Sequence, residues 1–194
     1  VLLISGKSGC GKSTLVKIIL GLLPPTGGHI ICNGVNILEH NIQSFRKITG
    51  TVLQGDSLLS GSLLYNISFD NTVSLDDVIH ITKGLGIHEV INSLPMGYYS
   101  QVTDINAFLS VGQIQRILLA RAIYRKPALL ILDEATSNLD HESETQVIDY
   151  IATIPCAKII ISHKGEALRI ADKILYLDRA TSYCKSNIHN KHCS

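Results

Sequence analysis

The sequence predicts an α/β fold: a mainly parallel sheet flanked by helices, with a helical subdomain inserted between two of the strands. Apolar runs of strand length at 1–4, 29–32, 48–53, 128–132, 157–161 and 173–177 alternate with helical periodicity at 13–23, 74–93, 110–125 and 140–153. That alternation is the pattern of parallel strands joined by helical crossovers. Between about Ser57 and Arg125 short helical stretches follow one another without a convincing strand, so residues 57–125 are expected to form a lobe of their own. The chain has 194 residues, 45% of them apolar, enough for one sizeable core.

In chain order, the first apolar run Val1-Leu2-Leu3-Ile4 leads directly into Gly6-Lys7-Ser8-Gly9-Cys10-Gly11-Lys12-Ser13-Thr14. The spacing G-x-x-x-x-G-K-S between a strand and a helix is that of a phosphate-binding loop, so the fold class narrows to a P-loop NTPase. Glycines bring main-chain N–H groups close to phosphate oxygens, Lys12 reaches the β and γ phosphates, and the Ser13 hydroxyl suits Mg²⁺. The following helix points its positive end at the anion. Gly6, Ser8, Gly9, Cys10, Gly11, Lys12, Ser13 and Thr14 are therefore the expected nucleotide-binding residues. Pro24-Pro25-Thr26-Gly27-Gly28 stops the helix, and Pro95-Met96-Gly97 breaks the helical lobe before an irregular stretch at 98–108.

The buried-type strand Ala128-Leu129-Leu130-Ile131-Leu132 ends in Asp133-Glu134, and ligands in open α/β sheets collect at the carboxyl ends of strands. Asp133 is placed to share a Mg²⁺ with Ser13, and Glu134 to orient and deprotonate a water aimed at a γ-phosphate. The acid pair alone reads equally well as an N-cap for the helix near 140.

Composition narrows the partners. Lysine and arginine number 17 against 16 acidic residues, a net charge of +1 with the signs interspersed. No basic face for nucleic acid and no polybasic membrane patch is evident. No apolar run approaches the roughly 18 residues that cross a bilayer. Five cysteines, an odd number without a C-x-x-C pair, argue for free thiols in a reducing compartment. The chain begins at Val1 inside a strand without an initiator Met, and is expected to be a segment of something longer.

With these residues in view a family resemblance emerges. Leu109-Ser110-Val111-Gly112-Gln113, followed by Gln115-Arg116 and Ala120-Arg121-Ala122, resembles the signature sequence of ABC-type ATPases. Ser137-Asn138-Leu139-Asp140 is similar to their D-loop, Ile161-Ser162-His163 to their switch-histidine segment, and Gln54 to their Q-loop glutamine. The motifs run in family order from residue 6 to residue 163. Leu-Ser-x-Gly-Gln in isolation would be an ordinary helix cap.

The resemblance implies a head-to-tail dimer with a second ATP-binding domain, a homodimer in the simplest case. Two ATP molecules would sit at its interface, each held by the phosphate loop of one subunit and by Ser110, Gly112 and Gln113 of the other. It implies Glu134, His163 and Gln54 as catalytic residues, with Ser13, Gln54 and Asp133 around Mg²⁺. The segment Val52 to Ile67, with Gly61-Ser62 and Asn66-Ile67, resembles exporters, and among them bacterial peptide and bacteriocin exporters of the colicin V type. An ATPase domain coupled to a transmembrane partner at the cytoplasmic face of the cell (inner) membrane is what this implies. A soluble ATP-dependent clamp or switch, or a catalytically impaired fragment, are the alternatives.

Departures from the family pattern exist. Val111 stands where glycine is commonest, and Tyr99 to Phe108 lacks the usual Gly-Glu segment that touches the membrane partner. The adenine-stacking aromatic is expected upstream of Val1, weakening ATP binding. The domain is expected to end at 178, with a polar tail over 179–194 that is mostly disordered. Cys184, His189, His192 and Cys193 in that tail are zinc-ligand types, but their spacing argues for chance.

Overall fold

The computed structural model describes residues 1–38, 42–69, 73–105, 108–163 and 165–178, and the backbone of 182–186. Its six-stranded sheet has the order β4-β5-β6-β1-β7-β8, built from β1 (Leu2–Gly6), β4 (Thr49–Val52), β5 (Leu129–Asp133), β6 (Ala157–Ile161), β7 (Lys173–Leu177) and β8 (Ser182–Ser186). β1 lies between β6 and β7 and pairs parallel with both, and β5 pairs parallel with β4 and β6.

The central strands β1, β5 and β6 are rich in apolar residues because both faces are covered. Successive side chains go to opposite sides. Leu3, Leu130, Leu132 and Ile160 face the larger core, while Ile4, Ile131 and Ile161 face the smaller one with Val16, Leu20 and Phe45. Val16 belongs to α1 (Lys12–Ile19) and Phe45 to α2 (Ile42–Lys47), so these two helices cover one face. Burial of each large apolar side chain contributes about 1.5–3 kcal/mol.

The other face carries the helical lobe, inserted between β4 and β5 as expected. It comprises α3 (Leu63–Ser68), α4 (Leu75–Gly84), α5 (His88–Asn92), α6 (Val102–Ile105) and α7 (Val111–Tyr124). Ser62 caps α3 and Ser74 caps α4, each accepting a main-chain N–H with its side chain. α7 lies close on β4 because Gly50 has no side chain: a Cβ there would stand 2.3 Å from the Ala122 carbonyl oxygen. α8 (His141–Thr153) and α9 (Glu166–Arg169) complete the layer. No helix among the described residues is long and apolar enough to cross a membrane.

Three expectations need correction. The strand run at 29–32 does not enter the main sheet: β2 (Ile31–Cys32) and β3 (Val35–Asn36) form a separate antiparallel hairpin. Its turn, Asn33-Gly34, has φ of 51° and 79° at its two residues, a turn chemistry that selects local pairing over a crossover. The irregular stretch at 98–108 contains the helical turn α6. Within the tail expected to be mostly disordered, residues 182–186 form β8, which runs antiparallel to β7 from Leu177↔Ser182 to Lys173↔Ser186. A ladder on the free edge of β7 satisfies main-chain groups that side-chain polarity does not register. His189, His192 and Cys193 lie outside the described residues.

Candidate nucleotide site

The phosphate loop leaves β1 at Gly6 and enters α1 at Gly11, and three of its glycines have φ values reserved for glycine: 153° at Gly6, 75° at Gly9 and 105° at Gly11. Gly6 is also held by space, since a Cβ there would lie 2.3 Å from the Leu177 carbonyl oxygen and 2.9 Å from Cys10 Sγ. Cys10 therefore packs against the loop base, while Lys7, Ser8 and Gly9 are exposed. Unlike α3, α4, α7 and α8, helix α1 has no side-chain cap, and its first N–H groups are left for an anion. Lys12 is nearly buried, and its Nζ donates to the carbonyls of Gly6 at 2.9 Å and Lys7 at 3.1 Å, which folds the ammonium back over the loop. Ser13 follows on α1, half-buried, with Thr14 exposed beside it.

At the carboxyl end of β5, Asp133 is 4% exposed and its Oδ1 has no hydrogen-bond partner. Leaving such an oxygen unpaired costs about 1–3 kcal/mol, so this carboxylate suits a hard cation that takes oxygen ligands. The Ser13 hydroxyl and the Gln54 side-chain oxygen are donors of the same kind, and the residues present fit Mg²⁺.

Glu134, the next residue, has φ 54°. The left-handed conformation costs a non-glycine residue about 1–2 kcal/mol, and turns the Glu134 side chain off the strand's alternation. Its N–H donates to the Ile161 carbonyl at 3.0 Å, and its Oε1 lies 3.5 Å from His163 Nε2. Both side chains are partly exposed, Glu134 at 32% and His163 at 47%, so water reaches the pair. Gln54, Asp133 and Glu134 line one cleft of about 410 Å³ with Asp56, Gln115 and Ser137. A larger hollow of about 520 Å³ between Leu94 and Phe108 is mostly apolar and holds none of these side chains.

Asp140, not the acid pair, caps α8, accepting from the Ser143 N–H at 2.9 Å. Ser110 and Gln113 form a capping box at the start of α7: the Ser110 N–H donates to Gln113 Oε1 at 2.8 Å, and the Gln113 N–H donates to Ser110 Oγ at 3.2 Å. Gly112 is forced by contact, because a Cβ there would stand 2.8 Å from the Asn138 carbonyl oxygen. Val111 is 61% exposed, so its branched side chain meets no obstacle in the monomer.

A family model described as ABC transporter matches residues 1–137. The chain belongs to the ABC transporter family. Among curated members, it is 39% identical over 173 residues to the colicin V secretion/processing ATP-binding protein CvaB of Escherichia coli, covering 89% of this chain and 25% of that protein. It is 40% identical over 186 residues to the chloroplastic ABC transporter B family member 26 of Arabidopsis thaliana, covering 92% of this chain and 26% of that protein. Among solved structures, a bacterial Atm1-family ABC exporter with ATP bound matches with a TM-score of 0.85 at 31% identity, covering 93% of this chain and 33% of that one. This ABC transporter family chain thus spans about a quarter of the length of these curated relatives.

Within this ABC transporter family fold, two polar side chains stand out for their bonding, although the motifs that contain them assign them no role. Gln115 bonds the loop after β5, and Arg121 bonds α3. Their partners lie 22 and 55 residues away, and no local periodicity signals such pairings.

Proposed function

We propose that this chain is the ATP-binding and hydrolysing domain of an exporter, pairing head-to-tail with a second copy around two ATP molecules. It works at the cytoplasmic face of the cell membrane against a transmembrane partner. Peptide export is the favoured task, supported by similarity to proteins named for secretion of colicin V and microcin H47.

The observation that carries the reading is the unpaired, buried Asp133 Oδ1 next to the Glu134–His163 pair. The uncapped start of α1 and Lys12 receive the phosphates. Ser13, Asp133 and Gln54 are the residues that would hold Mg²⁺, which when bound neutralises charge on the phosphate oxygens. Glu134 orients a water and takes its proton, and His163 holds the carboxylate in place. Ser110 and the exposed start of α7 face the partner's nucleotide, completing a site that one chain holds only in half.

Light scattering of the Glu134→Gln protein, with and without Mg-ATP, tests this. Blocked hydrolysis should trap a dimer, seen as a doubling of mass that Ser110→Arg abolishes. A chain that binds ATP yet stays monomeric overturns the composite site.

A further inference from the structure

Gln115 projects from α7, in the helical lobe, onto the loop that follows β5. Its Nε2 donates to Ser137 Oγ at 3.2 Å and to the Glu134 carbonyl at 3.4 Å, and its Oε1 accepts from the Asn138 N–H at 3.2 Å. One turn earlier, Gly112 lies against the Asn138 carbonyl. Two positions of α7 one turn apart, Gly112 and Gln115, therefore grip the segment 134–138.

The segment needs gripping, because Glu134 is left-handed at φ 54°, and such a residue persists only where its surroundings over-determine it. Its N–H is held by the Ile161 carbonyl, and its own carbonyl accepts from the Ser137 N–H at 3.1 Å. The first bond ties Glu134 to β6, and the second closes the turn within the segment itself. The bond from Gln115 is the one that comes from the lobe.

We propose that Gln115 is a positioning residue for hydrolysis. By fixing the main chain from Glu134 to Asn138, it sets the direction of the Glu134 carboxylate and makes catalysis depend on how α7 is seated. Withdrawal of α7 breaks three hydrogen bonds together and frees Glu134 to relax, so the lobe gates the chemistry without touching the nucleotide of its own chain. The inference rests on Glu134 being the catalytic carboxylate.

The test compares Gln115→Leu and Gln115→Glu in the full 194-residue chain, measuring ATP turnover and ATP affinity side by side. A misdirected carboxylate should lower kcat about 10–100-fold, while KM and the ATP dissociation constant stay within about twofold. Gln115→Glu should lose as much as Gln115→Leu, since its carboxylate keeps the acceptor for Asn138 but has no hydrogen to give Glu134. In a Glu134→Gln background, Gln115→Leu should cost nothing further. A folded Gln115→Leu protein with wild-type kcat overturns the proposal, as does a loss that simply adds to that of Glu134→Gln; if Leu prevents folding, Gln115→Glu decides. Turnover indifferent to Glu134 would sink the parent reading, whereas Glu134-dependent turnover indifferent to Gln115 sinks the positioning role alone.

Discussion

Arg121 Nη2 on α7 donates to Asn66 Oδ1 on α3 at 2.6 Å, while Arg121 Nε donates to the Asn66 carbonyl at 2.8 Å. Asn66 is fully buried and spends its remaining capacity on Leu59 and Ser62. The guanidinium also reaches the Ser57 carbonyl at 3.1 Å and lies 5.3 Å from the Phe69 ring centre. Burial pulls the Arg121 pKa down, with Asp56 acting in the other direction. This fork fastens the stretch after Gln54 to the lobe.

Arg121→Lys should therefore destabilise the protein by about 2 kcal/mol, because an ammonium cannot make the bidentate contact or stack on Phe69. Urea unfolding measures it. A midpoint unchanged from wild type would show that the fork is dispensable.

His163→Ala should lower kcat about 10²–10³-fold, within the range of losses seen when proton-handling groups are disturbed. ATP binding should survive, since Lys12 and the start of α1 are untouched. Turnover of the variant beside the dissociation constant for ATP separates the two effects.

Cys10 should be alkylated by a maleimide, with loss of nucleotide binding, and Mg-ATP should slow that reaction because the thiol packs against the base of the phosphate loop. Cys156 serves as the internal control: burial pushes its thiol pKa up, Lys158 offsetting only part of this, so it should react slowly with or without ATP. Peptide mapping of the labelled protein reads both. Equal Cys10 labelling rates with and without Mg-ATP would count against a nucleotide in this loop.

Asp140 lends the protein an acid-sensitive cap. The Ser143 main-chain N–H holds its carboxyl below the usual carboxylate range, helped by the Ser143 side chain. A folded-state pKa below the unfolded one means the cap's full stabilisation is present above the unfolded value and disappears as pH falls through the folded one. Wild-type stability should thus drop below about pH 4. Asp140→Asn, which caps without titrating, should show a shallower drop in urea titrations across that range. Parallel profiles for the two proteins would assign the acid sensitivity elsewhere.

The glycine pattern of the loop was legible in the sequence because Gly6, Gly9 and Gly11 adopt backbone angles that other residues rarely take. The position of Asp133 was legible as the end of a buried apolar strand, where ligands of open α/β sheets collect, although the acid pair alone read equally well as a helix cap. The signature stretch read as a helix cap on its own residues and as a nucleotide contact through the family, and the capping box agrees with the first. Less visible was the left-handed turn at Glu134, a non-glycine residue held by Ile161 and Gln115 from distant parts of the chain and by Ser137 within its own turn. The same holds for β8, whose pairing depends on an empty strand edge more than on its own composition, and for β2, where an Asn-Gly turn diverted an apolar run from the main sheet.

Thr49 pairs with Leu129 in the sheet, so the two neighbouring strands β4 and β5 are joined by a loop as large as the whole lobe. Closing so wide a ring carries an entropic cost that grows only with the logarithm of its length, yet it slows the search for the pairing. Compaction of α3 to α7 on themselves, through contacts such as Arg121 with Asn66, would shorten the effective ring before the strands meet. The topology thus favours an assembly order in which the lobe condenses before β4 and β5 pair.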